Sequence, residues 1–134
     1  GAMAVEVDVR SIELDPSDMA PIDAPLEIKV QFSVAKDLKC ARWKFKYVAD
    51  HAHKRHVIHL GETDAVSVEK GENALVHKLD NIGVEGLDKE LLNNVGLLLA
   101  SLYDGADEVI QISMVTQVLD RDGVLQRQVL NPLE

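Results

Sequence analysis

The chain has 134 residues, enough for one domain with a substantial core. Its 23 acidic residues outnumber its 14 basic ones, and the net charge of -9 argues against direct binding to nucleic acid. A single cysteine excludes an internal disulfide, and no apolar run is long enough to span a membrane, so we expect a soluble, intracellular protein with no membrane contact. Gly1–Ala2–Met3 is typical of a vector scar, which leaves 4–134 as the expected single domain.

The N-terminal half is predicted to form short strands with turns between them. Apolar and charged residues alternate over 5–9, and the alternation shifts at Ser11, which indicates a bulge. A loop containing Asp and Pro precedes 26–34, where strict alternation is typical of a half-buried strand. The next strand alternates basic residues with three aromatic residues that we expect between two sheets: Trp43, Phe45 and Tyr47.

A cluster of histidines follows this strand. Four of them, His51, His53, His56 and His59, lie within nine residues. Imidazole suits zinc or copper, but this segment has no cysteine and no helical His pair, so a mobile, metal-free loop over 51–56 is the favoured interpretation. The chain also lacks a phosphate-binding loop and a nucleophile elbow, so we expect no enzyme and no cofactor.

Charge is distributed unevenly along the chain. Residues 36–55 include seven bases and two acids, whereas residues 62–90 include eight acids and three bases. This separation predicts a basic edge and an acidic edge on the folded domain.

The C-terminal half is organised around a predicted hairpin. Short strands over 57–60, 65–68 and 74–79 and one helical turn at 87–92 precede it. Two apolar runs, 95–102 and 109–119, are joined by a turn that contains Asp104-Gly105, and a short tail follows. The first run is apolar on both faces, so both faces need to be covered. We therefore predict an all-β, immunoglobulin-like β-sandwich of about 7–9 antiparallel strands with one short helical turn.

Several motifs then resemble one family. The strand W-K-F-K-Y-V at 43–48 resembles the W-K-x-x-Y-V strand of the anti-silencing-function histone chaperones. In the same order, 26–30 is similar to their F-E-I-x-F strand, Leu60-Gly61 to their V-G, 97–105 to a long apolar strand that ends in S-Y-x-G, and Asn131-Pro132 to their Asn-Pro. The resemblance covers about 26–132.

The resemblance implies an immunoglobulin-like monomer that binds the histone H3–H4 dimer during nucleosome assembly and disassembly. It implies histones H3 and H4 as partners, other chromatin-assembly factors as further ones, and a location in the nucleus, with the cytoplasm as a second location. Carried over by position, the histone-binding residues are Val48, Glu90, Asn94, Gly96, Leu98, Gln111, Met114 and Val115. We expect a shallow apolar patch with Leu98 as its exposed anchor, although burial statistics favour the core for Val48, Leu98 and Met114.

Departures from the family pattern leave a second interpretation open. A central apolar residue of the family falls at Gly96, its arginine at Gln111 and an aromatic residue at Val115, while a basic loop replaces expected acids. An acidic pair used for co-chaperone peptides falls near Lys39 and Cys40. The alternative is a β-sandwich adaptor of the same ancestry that binds a different peptide or helix and has lost histone binding. An enzyme or metal protein that uses the histidine loop is the least favoured interpretation.

Overall fold

The computed structural model describes residues 5–51, 54–82 and 95–134. Over these ranges the chain forms ten strands and no helix, and so no helix long and apolar enough to cross a membrane. In chain order they are β1 (Val7–Asp15), β2 (Ala20–Pro21), β3 (Leu26–Val34), β4 (Leu38–His51), β5 (Lys54–Glu62), β6 (Val66–Val68), β7 (Gly71–Leu79), β8 (Gly96–Asp104), β9 (Asp107–Arg121) and β10 (Val124–Val129).

The strands form two antiparallel sheets. The three-stranded sheet has the order β1-β3-β7, and the seven-stranded sheet has the order β2-β10-β9-β8-β4-β5, with β6 also paired to β4. The prediction of an all-β, antiparallel sandwich is confirmed. Two strands were not predicted: β2, which has two residues, and β10, which lies in the expected tail. The predicted helical turn at 87–92 lies outside the described residues.

Aromatic contacts join the two sheets. Trp43, Phe45 and Tyr47 are all buried, as predicted. Trp43 packs edge-on against Phe32 of the other sheet, with ring centroids 5.5 Å apart and an interplanar angle of 75°. Phe45 stacks on His77, also of the other sheet, with centroids 4.4 Å apart. These contacts, rather than any helix among the described residues, close the core.

Local sequence signals account for the strand boundaries. The alternation over 26–34 buries every second side chain of β3. The register between β1 and β3 shifts between Val9 and Ser11, which confirms the predicted bulge. The β8–β9 hairpin turns at Gly105, whose φ of 62° lies in the left-handed region that glycine adopts without strain. Its end is tied to β4, because the Cys40 amide donates to Asp104 Oδ1 at 3.0 Å.

Two polar side chains fasten the C-terminal segment, and neither was predicted. Arg127 is buried and donates hydrogen bonds to the carbonyl oxygens of Pro21 and Pro25. Burial lowers the pKa of Arg127, and nearby Asp23 opposes this effect. Asn131 donates from Nδ2 to the carbonyl of Ile12 at 2.6 Å, which links the segment after β10 to β1 and so joins the sheets.

The predicted loop over 51–56 is wrong in part. Residues 54–56 belong to β5 and pair with 49–51 of β4. A strand forms there because its polar residues lie at a sheet edge, where solvated side chains are tolerated. Among the described residues, no group of three or more His, Cys, Asp or Glu could hold a metal ion. His53 and the His51 side chain lie outside that description.

Truncating the central aromatic residue tests this core. We expect Trp43→Ala to lower the free energy of unfolding by about 3–5 kcal/mol, because it removes a large buried ring and leaves a cavity. Urea unfolding followed by circular dichroism measures the change. A loss below about 1 kcal/mol would contradict the central packing position of this ring.

Candidate protein-binding face

The outer face of the seven-stranded sheet is set by β4. Because Trp43, Phe45 and Tyr47 point inward, the residues between and after them point outward. The register with β8 then pairs Val48 with Leu97 and Lys46 with Leu99. Leu97 and Leu99 therefore lie on the outer face, and both are partly exposed.

Four apolar residues line up across this face. Val57 on β5 pairs with Val48, Val48 pairs with Leu97, and Leu97 pairs with Val115 on β9. We call these four residues the apolar row. It spans three strand spacings of about 4.8 Å, or about 14 Å. Val57 and Val115 are 46% and 42% exposed, whereas Val48 is 7% exposed, so the row is a shallow patch with a covered centre. Leu130 adjoins its end, because the Leu130 amide donates to the Val115 carbonyl at 2.8 Å.

The structure corrects the orientation of three carried-over residues. Leu98 and Met114 are 0% and 1% exposed and belong to the core, and Gly96 is buried as well. The prediction that Leu98 is an exposed anchor is therefore wrong. Its neighbours Leu97 and Leu99 face outward instead. A strand that is apolar on both faces carries no signal for which face is inside, and a one-residue slip exchanges the faces.

A bulge in the hairpin compounds this ambiguity. Tyr103 pairs with Glu108, but Leu102 pairs with Ile110, so Val109 is an extra residue on β9. The extra residue shifts the alternation of inward and outward side chains on β9. Counting residues from the turn therefore does not give the face on which a β9 side chain lies.

Three other carried-over residues do lie on the outer face. Val48 and Val115 belong to the apolar row. Gln111 is exposed two rows away, in the row of Lys44, and donates from Nε2 to Ser101 Oγ at 3.4 Å. Glu90 and Asn94 lie outside the described residues. Sequence reasoning missed Leu97, Leu99 and Val57, and the one signal that could have placed them is strand pairing with β4.

Gly96 has a packing role. A Cβ atom at this position would lie 2.2 Å from Tyr47 Oη and 2.4 Å from Tyr47 Cζ. Glycine is therefore required because the Tyr47 ring passes over it inside the sandwich. The Tyr47 hydroxyl has no hydrogen-bond partner in the described part of the chain, and burial raises the pKa of Tyr47 to about 12.

Positive charge borders the apolar row. Lys46 lies between His59 on β5 and Leu99 on β8, one row along from Val48. Lys44, a row further, places Nζ 4.5 Å from the centroid of the Tyr103 ring. We call Lys44, Lys46 and His59 the basic border. It draws on the base-rich segment 36–55, so part of the predicted basic edge falls on this face. Apolar contact beside fixed charge suits protein binding.

The corrected orientation predicts opposite outcomes for two substitutions in one hairpin. We expect Leu98→Asp to unfold the domain, since it places a carboxylate in the apolar core. Val115→Asp should change the free energy of unfolding by less than about 1 kcal/mol, because Val115 lies at the surface and is 42% exposed. Thermal melts followed by circular dichroism compare the two variants. A folded Leu98→Asp protein would show that the faces are assigned backwards.

The buried hydroxyl predicts a loss of stability in alkali. The folded protein holds the Tyr47 proton more tightly than the unfolded chain, whose tyrosine pKa is near 10, so this group's contribution declines as pH rises from about 10 through about 12. Tyr47→Phe should remove that contribution. Urea unfolding of parent and variant at about pH 8 and about pH 11 measures it as a difference between the two proteins. Equal pH dependence of parent and variant would refute the shift.

Comparison with known proteins places this fold in a family. The family model described as "ASF1 like histone chaperone" matches residues 3–130. No curated protein matches the sequence. One match among solved structures is a β-glucosidase from Kluyveromyces marxianus, with a TM-score of 0.41 and 14% identity; it covers 95% of this chain and 15% of the enzyme, and a likeness so weak carries no argument. Because the family match spans nearly the whole sequence, the chain belongs to the anti-silencing-function family of histone chaperones.

Proposed function

We propose that this protein binds the histone H3–H4 dimer through the outer face of its seven-stranded sheet and acts in nucleosome assembly and disassembly. The observation that carries the proposal is the apolar row on that face, in a chain whose family consists of histone chaperones. Val57 and Val115 are exposed at its two ends, and no other described element covers them. Their exposure in a folded monomer is accounted for if a partner covers them.

The dimensions of the apolar row suit a helix. Neighbouring strands lie about 4.8 Å apart, close to the 5.4 Å pitch of an α-helix, so successive turns of a helix laid across the strands would meet successive strands. Helices that bind such surfaces use apolar residues at i, i+3 or i+4, and i+7. Histones are helical proteins, and a helix of the H3–H4 dimer is the ligand that we propose for this row.

Net charge supports encounter with a basic partner. The chain carries -9 at neutral pH and has a pI near 4.9. An acidic protein attracts basic histones over distances comparable to the Debye length and raises the association rate. We propose binding without catalysis, with the protein working as a monomer in the nucleus. Further chromatin-assembly factors would then bind surfaces other than the apolar row.

The adaptor alternative has one observation in its favour. Lys46, beside the apolar row, has no ion-pair partner among the described residues, and a basic histone surface would not neutralise it. An adaptor of the same ancestry would use the same face for another helix. The test below separates the two functions, because a folded adaptor would form no complex with H3–H4.

A pair of valine substitutions tests the proposed function. The parent protein should form a stoichiometric complex with H3–H4 in gel filtration. Val115→Asp should weaken binding by about 2 kcal/mol or more, roughly 30-fold, because a carboxylate must then be desolvated in the contact. Isothermal titration calorimetry measures the affinity.

Val76→Asp is the matched control. Val76 is 62% exposed on β7 of the opposite sheet and should tolerate the change with parent-like affinity. Equal binding by Val115→Asp and the parent would remove the apolar row from the histone interface. Failure of the folded parent to bind would favour the adaptor.

A further inference from the structure

We infer that the outer face selects a partner helix that carries carboxylates beside its apolar residues. The inference rests on the proposed function for the location of the binding face, but not for the identity of the partner. It is unexpected for an acidic protein, because the charge next to the apolar row has the opposite sign to the net charge of the chain.

Register places the cations beside the apolar contact. The row next to the apolar row contains His59, Lys46, Leu99 and Ser113, paired in that order across β5, β4, β8 and β9. Two residues along a strand span about 6.7 Å, so the base of Lys46 lies about that far from the base of Val48. A lysine side chain is long enough to reach over this distance and meet the flank of a helix seated on the apolar row.

Within the described part of the chain, Lys46 is free to pair with a carboxylate of a partner, unlike two arginines on the same face. Arg42 pairs with Glu62 at 3.5 Å, and Arg55 pairs with Asp50 at 3.4 Å, so these two arginines already have carboxylate partners. Lys46 has no such partner among the described residues. Its row contains no carboxylate, and the one in the row beyond is Glu62, which Arg42 already pairs.

Lys44 and His59 add to the same field. Lys44 lies in that further row, between Glu62 and Ser101, and its ammonium rests over the Tyr103 ring. That contact restricts the side chain and keeps its charge on the face. His59 is exposed beside Lys46 and offers a ring nitrogen to a bound partner. The basic border therefore presents Lys46 and an imidazole in the row beside the apolar row, with Lys44 one row beyond.

Electrostatic complementarity then decides the partner. A helix with basic residues on the flank that meets Lys46 would bring like charges together as the contact desolvates, whereas glutamate or aspartate there would complete an ion pair. Net negative charge guides a basic partner toward the domain, and the basic border discriminates among the helices that it could present. The net negative charge thus attracts a partner at long range, and the basic border selects the helix that makes contact.

Two helical peptides test the inference without histones. They share leucines at i, i+4 and i+7 and differ only in the flanking residues, glutamate in one and lysine in the other. Fluorescence anisotropy measures the two affinities in about 0.15 M salt. At this ionic strength charges more than about 8 Å apart are largely screened, so charges at the contact dominate the difference in affinity. We expect the glutamate-flanked peptide to bind about 10-fold more tightly, and Lys46→Glu to abolish or reverse the preference.

Lys78→Glu is the matched control. Lys78 is exposed on β7 of the opposite sheet, so its reversal changes net charge equally without touching the outer face. The variant should keep the parent's preference between the peptides. Equal binding of the two peptides to the parent, preference for the lysine-flanked peptide, or no binding of either would overturn the inference.

Histones provide the arm that separates this inference from the proposed function. If H3–H4 binds, Lys46→Glu should weaken it by about 3- to 10-fold, while Lys78→Glu should not. Parent-like binding of H3–H4 by a folded Lys46→Glu protein would overturn the inference and leave the proposed function intact. A second outcome is that the parent does not bind H3–H4 but binds the glutamate-flanked peptide, and that Val115→Asp abolishes the peptide binding. The proposed function then fails and the inference stands.

Discussion

The inward packing of Trp43, Phe45 and Tyr47 determines the rest of the seven-stranded sheet. These rings occupy alternate positions of β4, and two of them contact the opposite sheet: Trp43 packs on Phe32 and Phe45 on His77. Once they point inward, the alternate residues of β4 must point outward. Because β4 pairs with β5 and β8, and β8 pairs with β9, the orientation of the β4 side chains determines the orientation of the side chains on these strands. One set of buried rings thereby fixes which side chains the domain presents to a partner.

Strand β8 shows how this constraint shapes the outer face of the sheet. Its inner set, Leu98, Ala100 and Leu102, completes the core, and its outer set continues the apolar character onto the surface. A strand required only for folding would have polar residues in the outer set. Gly96 belongs to the inner set and makes room for the Tyr47 ring, so it serves the fold of the strand whose other side we assign to binding.

Charge acts on two length scales in this molecule. Net charge is strongly negative, which suits a chaperone of basic proteins. In the row next to the apolar row, however, lies Lys46, with Lys44 one row beyond it. Opposite signs at the two scales are compatible, because salt screens distant charges while contacts that exclude water are screened much less. A partner that is basic as a whole and acidic at the contact would satisfy both.

Local patterns in the sequence were sufficient for much of the fold. Alternation over 26–34 and 42–48 identified two core strands, Asp104-Gly105 identified the hairpin turn, and the shift at Ser11 identified the bulge in β1. Each of these signals depends on residues close together in the chain. Ordered motifs such as W-K-F-K-Y-V also identified the family.

Pairing between strands distinguishes the inner side of β8 from its outer side. Its residues are apolar at both odd and even positions, so no local pattern distinguishes Leu97 from Leu98, and the difference arises only from pairing with β4. The same holds for Arg127, whose buried guanidinium donates hydrogen bonds to carbonyls more than a hundred residues away in sequence. Local patterns predicted most of the strands, the hairpin turn and the family. Side-chain orientation and burial depended on residues distant in the chain, because a β-sheet is held together by hydrogen bonds between strands and not within them.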